Sequence, residues 1–167
     1  MRKIVVVGFL AVLLAVSTAA QDQKSATDVT SADIQAFIKA LPRNEISDRP
    51  IRAVDVGGPR IGVFGVFRPK AVTQDAVLHE VKTTEIYYML EGAGTLVTGG
   101  TLLDQRRNSP ADTTVRGSRI EGGVSRRVTK GDVVIIPGRV PHWWSNLDGD
   151  IQYLIFRSDP EGRLSLK

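Results

Sequence analysis

The stretch GDVVIIPGRVPHWWSN, residues 131–146, contains one of only two histidines in a chain of 167 residues. A turn at Gly131 precedes the apolar run VVII, which predicts a buried strand, and a Pro-Gly pair ends that strand. His142 follows a few residues later, on the next predicted strand. A histidine at this place is either a buried structural residue or a metal ligand, and the rest of the sequence must decide between the two.

The second histidine has a similar setting in HEVKTTEIYYMLEGAGTLV, residues 79–97. His79 lies near the end of one predicted strand, and Glu85 begins the next strand after a Lys-Thr-Thr turn. Gly92 follows the end of that second strand. Both histidines of the chain therefore lie at strand ends, and a carboxylate lies close to one of them.

Short β-branched runs separated by glycine or proline fill the chain from residue 51 onwards. The predicted strands are IRAVDV, RIGVFGVF, AVLHEV, EIYYML, GTLVTG, RRVT, DVVIIP and IQYLIF. Strands at this spacing, without helices between them, indicate an antiparallel sandwich or barrel. The polar segment 104–118 lacks periodicity and predicts an exposed loop, in which Arg106, Arg107 and Arg116 either lie in solvent or meet an anionic ligand.

One helix is predicted before the strands, in TSADIQAFIKALP, residues 30–42. Thr30 or Ser31 can cap its start, and Pro42 marks its end. One face carries an apolar stripe, formed by Ile34, Phe37, Ile38 and Leu41. This stripe predicts packing against the domain or against a partner subunit.

The first twenty residues have the pattern of a secretory signal peptide. Arg2 and Lys3 precede the apolar run IVVVGFLAVLLAV, residues 4–16, and small residues follow up to a predicted cleavage site after Ala20. We expect an exported protein, periplasmic or secreted, without stable membrane association after cleavage. The alternative is an uncleaved membrane anchor, for which the apolar run is short.

Composition limits the classes of partner. Loss of Arg2 and Lys3 with the leader lowers the formal net charge from +4 to +2, which is too small to predict binding to nucleic acid or to an anionic membrane surface. The chain has no cysteine, so an exported protein of this sequence must rely on an apolar core instead of disulfides.

The stretch around His142 resembles the second motif of the cupin superfamily, G-x5-P-x-G-x2-H-x3-N. It matches this motif at Gly131, Pro137, His142 and Asn146, and the inner glycine is displaced by one position, to Gly138.

The stretch around His79 resembles the first cupin motif, G-x5-H-x-H-x3/4-E-x6-G. It matches at His79, Glu85 and Gly92. Val81 replaces the second histidine, and Thr73 stands where the opening glycine would be.

The resemblance implies an all-β fold, the double-stranded β-helix or jelly-roll cupin barrel, here with a short N-terminal helix. The expected organisation is a signal peptide at 1–20, a polar segment and amphipathic helix at 21–49, the barrel at 50–157 and a C-terminal tail at 158–167. Cupins commonly pair through sheet edges, and we expect a homodimer.

The resemblance also implies that His79, Glu85 and His142 point inward and bind one divalent metal ion. Two histidines and one carboxylate leave about three coordination positions open and suit iron, manganese, zinc, nickel or copper. Glu80 is not expected to replace the lost histidine, because its side chain points to the strand face opposite His79. The alternative is a barrel that has lost its metal.

Strand alternation predicts which other side chains share the interior. Tyr87 and Met89 lie on the face of Glu85, and Trp144 lies on the face of His142. These side chains either line an aromatic cavity for a flat small organic molecule or fill the core. Arg126 either meets an anionic ligand or lies in solvent at a strand end.

Three classes of function remain open at this point. The first is a metal-dependent oxygenase, because open metal positions let dioxygen and a small organic substrate bind together. The second is a binding module for a small molecule. The third is an isomerase or epimerase, which would need Tyr87 or a carboxylate as its base.

Overall fold

The computed structural model describes residues 25–165, which form one helix and twelve strands. The elements are α1 (Ser31–Ala40), β1 (Ser47–Asp55), β2 (Arg60–Arg68), β3 (Ala76–His79), β4 (Thr84–Glu91), β5 (Ala93–Thr98), β6 (Thr101–Leu102), β7 (Thr114–Gly117), β8 (Ile120–Glu121), β9 (Val124–Thr129), β10 (Val133–Ile136), β11 (His142–Leu147) and β12 (Ile151–Asp159). The predicted signal peptide at 1–20 lies outside the described residues. Within them, no helix has the length and apolar character needed to cross a membrane.

The strands form two five-stranded antiparallel sheets. The first has the order β1-β2-β12-β4-β10, and the second has the order β7-β3-β11-β5-β9. Strands β6 and β8 form a small separate pair. The predicted all-β double-stranded β-helix with a short N-terminal helix is confirmed, with its strands running from Ser47 to Asp159.

The barrel core lies between the inner faces of the two sheets. Its buried side chains come from seven strands and include Phe64, Val66, Leu96, Val128 and Ile155. On β4 the residues alternate, as predicted for a strand with one face inward.

Helix α1 packs on the outer face of the first sheet. Thr30 and Asp33 form a capping box, in which Oγ1 of Thr30 accepts from the amide of Asp33 at 3.2 Å. Ile38 and Leu41 are buried against Phe67 of β2. Of the two partners predicted for the apolar stripe, the domain itself is the one that the structure shows.

The prediction of an exposed loop throughout 104–118 was wrong for its last residues. Thr114–Gly117 form β7, which pairs with β3 over four residues. Val115 is buried on the outer face of the second sheet, beside Leu102 and Ile120. A four-residue strand with a single large apolar side chain is too short for alternation to reveal it.

The candidate metal centre

Three strands bring His79, Glu85 and His142 together. His79 ends β3, Glu85 lies near the start of β4, and His142 begins β11. One ligand atom from each residue lies within 4.8 Å of the other two. The three residues predicted as metal ligands therefore form one cluster, although they come from both sheets.

A glycine lets the turn before His142 approach the turn before Glu85. A Cβ atom at Gly138 would lie 2.7 Å from the carbonyl carbon of Lys82, which is closer than real Cβ atoms come to backbone. The displaced glycine of the second motif thus serves as a point of close backbone contact. This contact joins the two segments that carry His142 and Glu85.

His142 presents a bare nitrogen to Glu85. Its Nδ1 lies 3.1 Å from the carbonyl oxygen of Val140, and because a carbonyl only accepts, Nδ1 carries the proton. Burial lowers the pKa of His142 to about 4, so the ring is neutral near pH 7. Its Nε2 therefore offers a lone pair, 3.4 Å from Oε2 of Glu85.

His79 has a similar arrangement at the other side of the carboxylate. Its Nδ1 is hydrogen-bonded to Oγ1 of Thr114, its cross-strand neighbour on β7, at 3.0 Å. Its Nε2 lies 3.5 Å from Oε1 of Glu85. Burial lowers the pKa of His79 below its ordinary value. Thr114 thus orients the ring so that Nε2 faces the cluster.

Glu85 is ionised although its side chain is buried. Burial by itself would raise its pKa, but the charge and hydrogen bond of Arg157, together with the neighbouring His142 and His79, outweigh burial and the pKa falls to about 2. Nε of Arg157 donates to Oε1 at 2.7 Å, and the hydroxyl of Tyr87 donates to Oε2 at 3.1 Å. Each carboxylate oxygen accepts one of these bonds and retains a lone pair for the histidine side.

These donors fit a divalent metal ion. Two imidazole nitrogens and one carboxylate group lie within 4.8 Å of one another. The unprotonated Nε2 of His142 and the ionised Oε2 of Glu85 both offer lone pairs at a separation of 3.4 Å. A shared cation satisfies both. Ligand atoms bound at about 2.0–2.2 Å to one ion stand roughly 3 Å apart, and the two histidine nitrogens lie 3.5 and 3.4 Å from oxygens of Glu85.

The side chains predicted to hold a substrate lie at different depths in the barrel. Tyr87 lines the cavity beside the cluster. Met89 and Trp144 are buried in the core cluster, and neither lines this cavity. Arg126 is exposed on β9, where Nη2 donates to Oγ1 of Thr98 at 2.7 Å. The cavity wall therefore has one of the four predicted side chains.

The cavity has a volume of about 610 Å³, and its wall is more polar than the sequence suggested. Sequence reasoning missed Arg157, Thr114 and Arg68, all of which line it. Two of these could have been found by alternation, because Arg157 shares the inward parity of Ile155 and Arg68 shares that of Val66.

The chain belongs to the cupin family. The family model described as Cupin matches residues 66–166, which is more than half of the chain and includes all three residues of the cluster. The resemblance seen in the two sequence motifs is thereby confirmed. No match is found among the curated proteins.

Several solved structures are similar to this chain at low identity. An uncharacterized protein with a double-stranded β-helix domain from Klebsiella pneumoniae is 10% identical, with 84% of this chain and 97% of that chain covered and a TM-score of 0.49. A Bacillus halodurans protein is 15% identical, with 83% and 86% covered and a TM-score of 0.48. The DMSP lyase DddQ from Ruegeria pomeroyi is 16% identical, with 85% and 78% covered and a TM-score of 0.45. None of these likenesses bears on the reaction of this chain.

Proposed function

We propose that this cupin holds one divalent metal ion with His79, Glu85 and His142 and uses it on a small organic molecule bound in the cavity. One observation carries the proposal. The bond from Nδ1 of His142 to the carbonyl oxygen of Val140 leaves a bare Nε2 facing the ionised Glu85 at 3.4 Å. Such a pair is best satisfied by a cation between the two groups.

Among metal-dependent reactions, oxygenation is the one we favour. When bound by three protein ligands, the ion would supply open positions at which dioxygen and substrate can meet. The protein itself orients the ligands, since Tyr87 and Arg157 each donate to one oxygen of Glu85. Iron, manganese, zinc, nickel and copper all suit the donor set.

A metal-free binding module is the second candidate, and one contact favours it. Nε of Arg157 lies 2.7 Å from Oε1 of Glu85, so a protein cation already offsets the buried carboxylate. In this alternative the barrel captures a small organic ligand without chemistry. An isomerase or epimerase would need a carboxylate as its base, because burial raises the pKa of Tyr87 well above 10 and the phenol stays protonated near neutral pH.

Metal analysis tests the proposal directly. Wild-type protein purified without added chelator should contain about one divalent ion per chain, and His142→Ala and Glu85→Gln should remain folded but metal-poor. Asp75→Asn is the matched control, because it removes a cavity carboxylate outside the cluster and should keep the metal. Unfolding of His142→Ala would make His142 a structural residue.

The reaction needs a separate assay. Protein loaded with ferrous iron or manganese is mixed with a panel of phenolic and diketone substrates, and oxygen uptake is recorded. Uptake that is lost in His142→Ala and kept in Arg126→Gln, a variant outside the cavity, supports an oxygenase. No uptake across the panel, together with detectable ligand binding, would favour the binding module.

We also propose that the protein is exported. Arg2, Lys3 and the apolar run 4–16 support a signal peptide cleaved after Ala20. Amino-terminal sequencing of protein from the periplasm or culture medium should begin at Gln21. Recovery of chains that retain Met1 in a membrane fraction would contradict export of a cleaved protein.

A further inference from the structure

Arg68 places a cationic side chain in the wall of the cavity. It is the last residue of β2 and follows the inward-facing Phe64 and Val66 at the same parity. It lines the same cavity as Glu85 and His142. The charge of Arg68 is therefore part of the surface that a bound ligand would meet.

Neutral acceptors hold the Arg68 guanidinium in place. Its Nε donates to the hydroxyl oxygen of Tyr153 at 2.7 Å, and its Nη1 donates to Oε1 of Gln74 at 2.9 Å. The amide of Gln74 is fixed in turn, since Nε2 donates to the carbonyl oxygens of Pro69 and Val72. Nη2 of Arg68 makes no hydrogen bond to any residue between 25 and 165.

Arg68 differs from the other arginines of the cavity in forming no ion pair with any residue between 25 and 165. Four arginines line the wall, and three of them form ion pairs. The pairs are Arg157 with Glu85, Arg116 with Asp112, and Arg163 with Glu161. Within the part of the chain that the structure describes, no carboxylate forms an ion pair with Arg68. Asp48 lines the same cavity but is bound by Arg157.

The charge of the cavity as a whole favours an anion. Four arginines and four carboxylates line it, and their ion-pair partners outside the lining are Arg106, Asp112 and Glu161, so the formal charge of the whole group is −1 when both imidazoles are neutral. A divalent ion bound by the cluster would change this charge to +1. An anionic ligand would offset this positive charge, and a guanidinium with a free Nη2 is suited to bind its oxygens.

We infer that Arg68 is the anion-binding residue of the cavity and that its ligand is a small organic acid, whose carboxylate pairs with the free side of the guanidinium. The inference deepens the proposed function and rests on it for the class of substrate. An aromatic cavity wall was one of the two alternatives drawn from the sequence, and the inference makes a charged contact the main source of selectivity between ligands instead.

Benzoate and its neutral analogue benzamide are suitable probes, because they have the same shape and differ in charge. We expect the wild-type protein to bind benzoate at least about tenfold more tightly than benzamide, measured by calorimetry or by ligand-observed NMR. Equal binding of the two probes, or no binding of benzoate, would overturn the inference.

Variants test whether Arg68 causes the preference for benzoate over benzamide. Arg68→Gln should lose the preference for benzoate, and Arg68→Lys should retain part of it because it keeps the charge without the planar fork. Arg126→Gln is the matched control, since it removes an exposed arginine outside the cavity and should bind as the wild type does. If Arg68→Gln does not fold, Arg68→Lys decides. A weakened preference for benzoate in that variant supports the inference, and a preference equal to that of the wild type contradicts binding of the carboxylate by the Arg68 guanidinium.

The metal proposal and the inference about Arg68 can be tested separately. The affinities for benzoate and benzamide are measured with metal-free protein and with protein supplied with Mn²⁺. The preference should persist without metal and should depend on Arg68 in both forms. If Mn²⁺ does not bind while the Arg68-dependent preference remains, the metal proposal fails and this inference stands. If Mn²⁺ binds and Arg68→Gln keeps the full preference, the anion is held elsewhere and this inference fails.

Discussion

Nε of Arg157 donates to Oε1 of Glu85 at 2.7 Å, across two paired strands. The same guanidinium forms an ion pair with Asp48 and lies 4.2 Å from the ring centroid of Phe64. Glu85 is almost completely buried. In the metal-free protein, Arg157 is therefore the cation that makes an ionised carboxylate tolerable inside the barrel.

Removal of that cation should be costly. Arg157→Leu removes the ion pair of the buried Glu85 carboxylate, and we expect the free energy of unfolding to fall by about 3–5 kcal/mol in the presence of a chelator. Urea unfolding followed by tryptophan fluorescence gives this value. Arg126→Leu, at an exposed site, should change it by no more than about 0.5 kcal/mol.

A bound ion should replace part of what Arg157 contributes. Added divalent metal should therefore stabilise Arg157→Leu more than it stabilises the wild type. If Arg157→Leu loses less than about 1 kcal/mol with chelator present, the carboxylate is not as dependent on this pair as its burial implies.

Thr114 should tune metal affinity through His79. Its Oγ1 lies 3.0 Å from Nδ1 of His79, and Thr114→Val removes this contact while keeping the shape of the side chain. We expect metal affinity to fall by about 10- to 100-fold, with the circular dichroism spectrum unchanged. Thr113→Val is the neighbouring control. Equal losses in both variants would show that the effect does not run through His79.

The strands of the barrel could be predicted from the sequence because each has one buried face and one exposed face, which makes apolar and polar residues alternate. The alternation of Glu85, Tyr87 and Met89 gave the inward face of β4 correctly. Strand β7 was missed because four residues carry too little pattern.

The site was only partly predictable for a different reason. The two motifs carry His79, Glu85 and His142, but the contact between Arg157 and Glu85 joins residues 72 positions apart in the chain, and their pairing is a property of the sheet. Parity also places Trp144 inward without saying how deep it lies along the barrel. The depth of a side chain along the barrel is set by the stagger between neighbouring strands, which cannot be read from the sequence pattern.

Tyr153 should make the protein less stable at high pH. Burial raises the pKa of Tyr153 above its ordinary value of 10.0. Above pH 10 the unfolded chain loses this proton while the folded chain retains it, so the free energy of unfolding falls as pH rises. Denaturant unfolding between pH 9 and about pH 11 should show a steeper fall for the wild type than for Tyr153→Phe. Equal slopes would mean that the phenol ionises freely in the folded protein.

An apolar area covers the outer face of the first sheet near its β10 edge. Val133 and Ile135 of β10 are about three-fifths exposed, at 60% and 63%. Tyr88 is the cross-strand neighbour of Val133. Ile86 is the cross-strand neighbour of both Ile135 and Phe156, so these three side chains form a row across the sheet. β10 is an edge strand with free backbone groups on one side. These features support a homodimer formed through this edge.

Self-association through β10 predicts a specific response to charge. Ile135→Lys places an ammonium group in the apolar area, and two copies brought together by a twofold axis would then repel each other as well as lose apolar contact. We expect light scattering at micromolar concentration to give a dimer for the wild type and a monomer for Ile135→Lys, with metal content unchanged. Val124→Lys is the matched control, because Val124 is equally exposed on β9, the edge strand of the other sheet, and should stay dimeric. A monomeric wild type would contradict the dimer, and a dimer that survives Ile135→Lys but not Val124→Lys would move the interface to the β9 edge.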